Sequence, residues 1–421
     1  MAQATYTTTT SSSSVNKLYR KVQGEVAPGF GFDVPEYDSV DNLKTYDIDV
    51  SAREITVPLD ITEGAGVASI DEGSLEARPS SPNLEEITLN YILLSGRFTA
   101  SVTAQVLDKN QRAGMLTRQI VYQSKKKMQD VARTWGDFFY GLSTGYMSTT
   151  TTAATQASGT YTLASGYGQA SITNAALIAD KFKVGDWVAL IRSSALVTNA
   201  IGQVTAVTAA TPSIAVTWNG SVTSMSGDFV VKANSLENTT IAGTDFNRGM
   251  TGLLDMCLTT SVHSLSGSSV PNWTAAYSDT TSTRYSGIKF HRFKQEIAFQ
   301  GGGKLDRLYM APGVYRDVLA LQQAALRFND AFTLELDGAI KGQGVKIIST
   351  KRTPSSWVIG FDSNAVRKLD VMPQPDGSGM SWGDAIRMQD SSGYVFPMSF
   401  ITQLVCTNRK RIAYANSQTE Q

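Results

Sequence analysis

One stretch limits the possible folds more than any other: residues 108–142 have the hydrophobic pattern of a single long helix. Apolar residues recur there in steps of three and four or their sums, which is the stripe of a helix buried along one face. At 1.5 Å per residue such a helix is about 50 Å long, well beyond the usual three turns. Asp108 or Asn110 can cap its start, and Gly145 follows its end. The residues predicted to face the core are Leu116, Ile120, Met128, Trp135 and Phe139.

The opposite face of this helix is basic. A run of charge is usually a solvated face, and the alternative is a docking surface for something acidic. No other segment predicts a helix of comparable length, so the rest of the chain is expected to be arranged around this one. The basic residues are Lys125, Lys126, Lys127 and Arg133.

Composition narrows the class of protein. Lys plus Arg and Asp plus Glu are equal at 37 each, so the chain has no overall basic field for nucleic acid or anionic lipid. Charged residues make up 18% of the chain, below the average of about 25%, which predicts that much of the surface faces other protein. Two cysteines, Cys257 and Cys406, argue against a disulfide framework and suit a reducing compartment. No apolar run reaches the length of a membrane span, and the first residues lack the pattern of a signal peptide.

The chain before the helix divides into an arm and a hairpin. Residues 1–50 are of low complexity and then irregular, and they are predicted to lie across another surface because they cannot bury their own apolar side chains. Residues 53–61 and 87–93 alternate polar and apolar, as strands do. The long connection between them is rich in Gly, Ser and Pro, and a loop of that length is uncommon unless it is functional. Against Arg78 it carries five carboxylates, Asp71, Glu72, Glu76, Glu85 and Glu86.

The composition changes after the helix. Residues 147–165 have the Thr, Ala, Ser and Gly content of a linker, and residues 166–233 predict a small β domain that has the look of an insertion. Gly185-Asp186 and Gly227-Asp228 each precede an aromatic residue, which predicts two similar strand starts. Residues 263–303 are polar and rich in turns. Later strands alternate with a helix that Pro312 opens, which indicates a mixed α/β domain, and one or two strands close the chain.

No catalytic, cofactor or metal site is predicted. The two histidines, His263 and His291, are expected to have packing or surface roles, because no GxSxG surrounds any serine. CxxC, HExxH and DxDxDG are absent from the sequence. The run 301–304 (GGGK) lacks the following Ser or Thr of a phosphate loop, and 342–344 (GQG) is better explained as a hairpin turn.

The order of these parts resembles the major capsid protein of tailed bacteriophages, the Hong Kong 97 fold. Shared are an extended arm, a long acidic hairpin, a long helix that follows it directly, and a later α/β domain. The resemblance rests on architecture and covers nearly the whole chain. It implies an α+β fold with an N-arm at 1–50, an E-loop and the start of the P-domain at 51–107, the P-domain spine helix at 108–149, an inserted all-β domain at 150–235, a P-domain return at 236–284, an A-domain at 285–395 and closing P-domain strands at 396–421.

The function that the resemblance implies is structural, not enzymatic. Copies of a major capsid protein self-assemble into hexamers and pentamers, which form the icosahedral head shell around the phage genome. The implied partners are other copies of the chain, a separate scaffolding protein, a portal, a candidate decoration protein, and packaged double-stranded DNA bound on the inner face without sequence specificity. No cofactor and no membrane is implied, and the location is the virion, after assembly in the host cytoplasm.

The resemblance also predicts how copies meet. In this fold the E-loop of one subunit lies over the P-domain of its neighbour, so the hairpin carboxylates are candidates to contact the basic face of a neighbour's spine helix. Each exposed pair is worth about 0–1 kcal/mol, so such pairs would set register and not hold the shell. The E-loop has no lysine between Leu59 and Leu94, so the covalent cross-linking of one family member is expected to be absent. The alternative is that both charge runs are solvated.

Two other classes of function stay open at this point. A β-rich carbohydrate-binding or adhesin-type surface protein is supported by the Thr-, Ser- and Gly-rich β segment, and opposed by the cysteine usage and the missing signal peptide. A hydrolase with an unrecognised site is the third hypothesis. Only the shell protein predicts particles of megadalton mass, so sizing by light scattering separates the three.

Overall fold

The chain divides into two compact units in the computed structural model. The first unit combines residues 1–39, 92–250 and 370–402, and the second combines 40–91, 251–369 and 403–421. The structure describes residues 35–43, 49–51, 54–60, 84–101, 115–143, 145–151, 154–166, 181–192, 195–208, 211–233, 249–270, 272–325, 333–334, 340–342, 344–370, 380–382, 386–387 and 393–419.

The long helix of the first unit is α2 (Met115–Phe139). Its 25 residues make it about 37 Å long. It ends three residues before the predicted end at Leu142, because the chain turns there: the N–H of Gly141 donates to the carbonyl of Phe138 (2.8 Å), and glycine disfavours helix. The predicted start, residues 108–114, lies outside the described residues.

Trp135 anchors α2 in the core. Trp135 and Phe139, which the periodicity predicts to be buried, are fully buried; the side chains of Leu116, Ile120 and Met128 lie outside the described residues. The indole N–H of Trp135 donates to Oγ1 of Thr402 (3.2 Å). Its ring stacks on Phe139 (5.4 Å between centroids) and meets Tyr37 edge-on (5.1 Å).

The apolar face of α2 is covered by a short helix and a sheet. Tyr37 belongs to α1 (Pro35–Ser39), which stands where an irregular arm was predicted; Pro35 is pre-set for the first helical position. The strand β4 (Ile92–Ser101) packs against α2 and pairs antiparallel with β22 (Gly393–Cys406), from Ile92↔Thr402 to Ser101↔Gly393. Two short strands, β20 (Met380–Trp382) and β21 (Ile386–Arg387), also pair with β22.

Six strands of the first unit close into a barrel. The prediction of a linker at 147–165 is wrong, because those residues form its first two strands; threonine is β-branched and suits strands. A Cβ added to Gly249 would lie 2.2 Å from the backbone N of Gly145, so the chain leaves for the barrel and returns from it side by side. The strands, in the order β10-β5-β6-β9-β8-β7, are β5 (Tyr146–Thr150), β6 (Ala154–Gly166), β7 (Trp187–Arg192), β8 (Ala195–Thr208), β9 (Ser213–Ser224) and β10 (Phe229–Lys232).

Two turns of the barrel have the same construction, as the paired Gly-Asp motifs predict. Gly185 and Gly227 have φ of 96° and 94°, a conformation that glycine adopts without strain. The aspartate after each glycine accepts a bond from the N–H three residues earlier: Lys183 to Asp186 (2.9 Å) and Met225 to Asp228 (2.7 Å). The prediction of two similar strand starts is confirmed.

The second unit contains the predicted hairpin. The strands β2 (Glu54–Asp60) and β3 (Leu84–Asn90) pair antiparallel from Glu54↔Asn90 to Asp60↔Leu84, which confirms the pairing that the alternation predicts. A further strand, β1 (Asp49–Ser51), pairs with β2. Val57, Leu59, Ile87 and Leu89 are buried, so alternate residues of each strand face inward.

A seven-stranded sheet with two helices forms the main core of the second unit. Its strand order is β13-β23-β18-β14-β17-β16-β15. The helix that Pro312 opens is confirmed as α5. The elements of this unit after the hairpin are α3 (Leu253–Leu258), β11 (Ser261–Val262), β12 (Leu265–Ser266), β13 (Tyr277–Asp279), α4 (Gly287–Gly301), β14 (Arg307–Met310), α5 (Pro312–Ala325), β15 (Thr333–Leu334), β16 (Ile340–Gly342), β17 (Val345–Ser349), β18 (Val358–Phe361), β19 (Val366–Asp370), a 3-10 turn (Arg409–Arg411) and β23 (Ile412–Ala415).

Two features of this sheet differ from expectation. The polar, turn-rich segment predicted at 263–303 contains the helix α4, whose Phe293 and Ile297 are buried in the core cluster. The strand β23, assigned above to closing strands separate from 285–395, lies between β13 and β18 of the same sheet, parallel to the first and antiparallel to the second. Its alternate apolar residues find their partners in that sheet.

Replacing Trp135 by alanine is expected to lower the free energy of unfolding by about 3–5 kcal/mol, because the site is fully buried and the cavity has no room to collapse between Tyr37 and Phe139. Urea denaturation followed by circular dichroism measures this. Lys126→Ala, an exposed position of the same helix, serves as the control and is expected to change stability by less than about 0.5 kcal/mol. An equal effect of the two substitutions would contradict the assignment of the core face.

Candidate assembly surfaces

The acidic hairpin presents two of its five predicted contact residues within the described residues. Glu85 and Glu86 lie on β3, opposite Leu59 and Pro58 of β2. Glu86 is exposed and Glu85 is half-buried. Asp71, Glu72 and Glu76 lie outside the described residues. The described part of the hairpin therefore has an apolar inner face and at least one carboxylate in solvent.

The basic residues of α2 do not form one uniform exposed face. Lys126 is exposed, Lys127 and Arg133 are half-buried, and the side chain of Lys125 lies outside the described residues. The ammonium of Lys127 is 4.0 Å from Oδ2 of Asp130, one turn further on. Lys126 is thus the described cation of this run that is most accessible to another molecule.

A second charged face of α2 was not predicted. Asp130, Thr134 and Asp137 are spaced i, i+4, i+7 and share one side of the helix, and they meet two lysines of the barrel. The ammonium of Lys183 binds the carboxylate of Asp130. That of Lys232 is 3.8 Å from Oδ2 of Asp137 and 3.4 Å from Oγ1 of Thr134. We call this set of contacts, together with Lys181, the joint.

Lys181 is the buried member of the joint, with 3% of its surface exposed. Its ammonium nitrogen donates to the carbonyl of Met147 on β5 (3.0 Å). Burial lowers the pKa of Lys181 to about 7, with Lys232 acting in the same direction and Asp137 against it. The sequence signal for the joint was the polar spacing within α2 and the concentration of the barrel's few lysines near its two ends, but a pattern does not show which lysine meets which carboxylate.

His263 has a packing role. Its Nε2 accepts a bond from the N–H of Cys406 (3.1 Å), and burial, followed by the Arg409 guanidinium, lowers the pKa of His263 to about 3, so the ring stays neutral. Burial also raises the pKa of the Cys406 thiol to about 12 and raises that of Cys257, so neither sulfur is a ready nucleophile. His291 is exposed.

A buried arginine holds this region together. The Arg409 guanidinium donates to the carbonyls of Met256 (2.7 Å), Thr259 (2.8 Å) and Trp273 (3.0 Å). Met256 and Thr259 stand at the end of α3, where a helix leaves carbonyls without partners of its own. Arg409 therefore caps α3 from the far end of the sequence.

The glycine runs have structural explanations. Gly302 ends α4 with φ of 59°, and a Cβ on Gly303 would lie 2.5 Å from Oδ2 of Asp362. That same oxygen accepts from the N–H of Lys304 (3.1 Å), so a carboxylate of the chain itself occupies the place. Gly342 pairs with Val345 across β16 and β17, which confirms the predicted hairpin.

Two further searches concern ligands and membranes. In the part of the chain that the structure describes, no group of three or more His, Cys, Asp or Glu could hold a metal ion. Within the ranges given for the fold, no helix is long and apolar enough to span a membrane.

The helix α4 carries apolar side chains on two opposite faces. Phe293 and Ile297 point into the core, whereas Ile288 and Phe299 are 82% and 83% exposed. Eleven positions separate the exposed pair, which brings both side chains to within about 20° of one line along the helix, about 16 Å apart. A surface helix ordinarily has one apolar stripe, and this second one is directed to solvent.

Comparisons with known proteins identify the fold. No family model and no curated protein sequence matches the chain. Among solved structures, the capsid asymmetric unit of cyanophage A-1(L) is similar over 94% of this chain and 96% of that chain, with a TM-score of 0.52 and 10% identity. The capsid of Myoviridae phage XM1 (95% and 97% covered, TM-score 0.43, 9% identity) and the SrpI encapsulin of Synechococcus elongatus PCC 7942 (96% and 95%, 0.43, 8%) are more distant. The chain has the fold of a tailed-phage capsid protein, built of mixed helices and strands.

Proposed function

We propose that this chain is the major capsid protein of a tailed phage, and that its copies form the hexamers and pentamers of an icosahedral head shell around the genome. The observation that carries the proposal is the capsid fold shared with the cyanophage protein along nearly the full length of both chains. Full-length coverage matters because it includes the hairpin and the barrel as well as the α/β sheet.

The surface composition supports a role in lateral contact between identical copies. The chain has no net charge at neutral pH, so copies do not repel one another as wholes. The exposed Ile288 and Phe299 of α4 are what a chain that contacts further protein presents, since exposed apolar surface of this kind marks interaction sites.

The parts of the capsid fold are assigned as follows. The β2–β3 hairpin is the E-loop, α2 is the spine helix of the P-domain, and the α4–α5 sheet is the A-domain. The barrel is an inserted domain, an assignment that the adjacent Gly145 and Gly249 support. It faces outward, away from the genome, because it has few cations with which to bind phosphate.

The partners follow from the same proposal. They are other copies of the chain, a separate scaffolding protein, a portal, a decoration protein that grips the barrel or the E-loop tip, and double-stranded DNA on the inner face. The chain acts without enzymatic chemistry, and its place is the virion. Between copies, the hairpin carboxylates lie over the basic residues of the neighbour's α2, with Glu86 and Lys126 as the accessible members of each set.

Expression of the full chain with its scaffolding protein is expected to give closed particles of megadalton mass. Light scattering and electron microscopy measure this directly. An adhesin-type surface protein would stay as monomers or small oligomers under the same conditions, and that outcome would overturn the proposal.

Reversing Lys125, Lys126 and Lys127 to glutamate is expected to leave the subunit folded and to reduce assembly, more strongly at low salt, where repulsion from the hairpin is less screened. Particle yield at two ionic strengths measures the effect. Lys410→Glu, a half-exposed charge far along the chain, is the control and should assemble normally. A second reversal of Glu85 and Glu86 to lysine should restore part of the yield. Normal assembly of the triple variant at low ionic strength would sink the contact.

The shell is expected to be held by non-covalent contacts, because the E-loop lacks the lysine that cross-linking requires. Mature particles boiled in detergent should migrate as single chains of 45.4 kDa. A ladder of higher bands that survives reducing agent would show that a covalent bond forms elsewhere.

A further inference from the structure

The joint places one carboxylate between two lysines in a site closed to water. Asp137 of α2 has 4% of its side chain exposed and faces Lys232 of β10, which has 24% exposed. Lys181 adds a second amine to the same site, and Asp137 and Lys232 are the charged groups that act on it. The carbonyl of Met147 on β5 accepts its bond. Three elements, α2, β5 and β10, therefore meet around Lys181.

The charge balance of this site depends on one proton. With Lys181 neutral, Lys232 and Asp137 form one ammonium and one carboxylate, and the buried charge is balanced. With Lys181 protonated, two ammonium groups share one carboxylate, and a buried charge without its own counter-ion is costly. The cheapest relief is for the barrel to move on α2 until the Lys181 ammonium reaches water.

The other half of the joint stays in place during such a movement. Lys183 and Asp130 are 34% and 28% exposed, so this ion pair is already hydrated and does not depend on the buried site. Asp130 and Asp137 are seven residues apart on α2, which is about 10 Å along the helix. One end of the joint can open while the other remains tethered.

We propose that the joint is a proton-controlled hinge: neutral Lys181 fixes the barrel on α2, and protonated Lys181 frees it to move while the Lys183–Asp130 pair keeps it attached. Closing the joint expels a proton from Lys181, so the closed form gains population as the pH rises. Burial lowers the pKa of Lys181 to about 7, which places the change in the neutral range. The hinge is a property of one chain and does not require assembly.

The test measures the distance between α2 and the barrel in the full chain. Spin labels are attached at Lys126→Cys on α2 and Thr217→Cys on β9, two exposed positions; the native Cys257 and Cys406 are buried and escape labelling. Double electron–electron resonance is recorded on unassembled subunits, diluted with unlabelled chain, between about pH 6 and about pH 9. The expected result is one narrow distance in the alkaline samples and a broad distribution in the acidic ones, with a midpoint near 7.

Substitutions at Lys181 give opposite expectations, so the proposal does not rest on a single variant. Lys181→Met has the same length without the charge and should keep the narrow distance at every pH. Lys181→Arg stays charged and should give the broad distribution at every pH. Lys183→Met leaves Lys181 in place and should keep the pH response, with a wider spread in acid because the tether is gone. Circular dichroism confirms that each variant is folded.

Two outcomes would overturn the hinge. One is a wild-type distance distribution that does not change across this pH range. The other is a Lys181→Met variant that broadens in acid as the wild type does, which would assign the response to another group.

Discussion

The first unit depends on a helix that has to satisfy two different surfaces at once. One side of α2 buries Trp135 and Phe139 against α1 and the β4–β22 sheet, and the other side offers Asp130 and Asp137 to the barrel. Apolar burial is strong and non-directional, whereas the charged contacts are weak unless geometry and burial favour them. The apolar side therefore fixes where α2 lies, and the charged side fixes how the barrel is oriented on it.

The sequence predicts the elements that carry one regular pattern. The stripe of α2, the alternation of β2 and β3, and the Pro312 start of α5 each express a single burial preference, so a period is visible. The helix α4 escaped prediction because Ile288 and Phe299 face away from Phe293 and Ile297, and two opposed stripes cancel each other's periodicity. The first strands of the barrel escaped because Thr, Ala, Ser and Gly also compose linkers, and only closure of the barrel gives Tyr161 and Leu163 an interior to face.

The candidate contact residues show a similar division. Charge runs are visible in a sequence, so the carboxylates of the hairpin and the lysines of α2 could be named, and Lys126 and Glu86 are exposed. Which charges pair within the chain is a matter of long-range geometry. Asp130 meets a lysine 53 residues away and Asp137 meets Lys232, and Arg409 caps a helix 153 residues earlier. No local spacing encodes such distances.

The pairing of β4 with β22 has a consequence for synthesis on the ribosome. The hydroxyl that receives the Trp135 indole N–H stands 267 residues later, and the strand beside β4 is among the last parts of the chain to be made. The barrel strands, by contrast, are close neighbours in sequence and can pair as they emerge, since short loops close fastest. The nascent chain thus carries α2 with its apolar side uncovered while the whole second half is being translated. Chaperones that hold exposed apolar helices have their longest window of action here, and truncated chains that stop before β22 are the species most prone to aggregate.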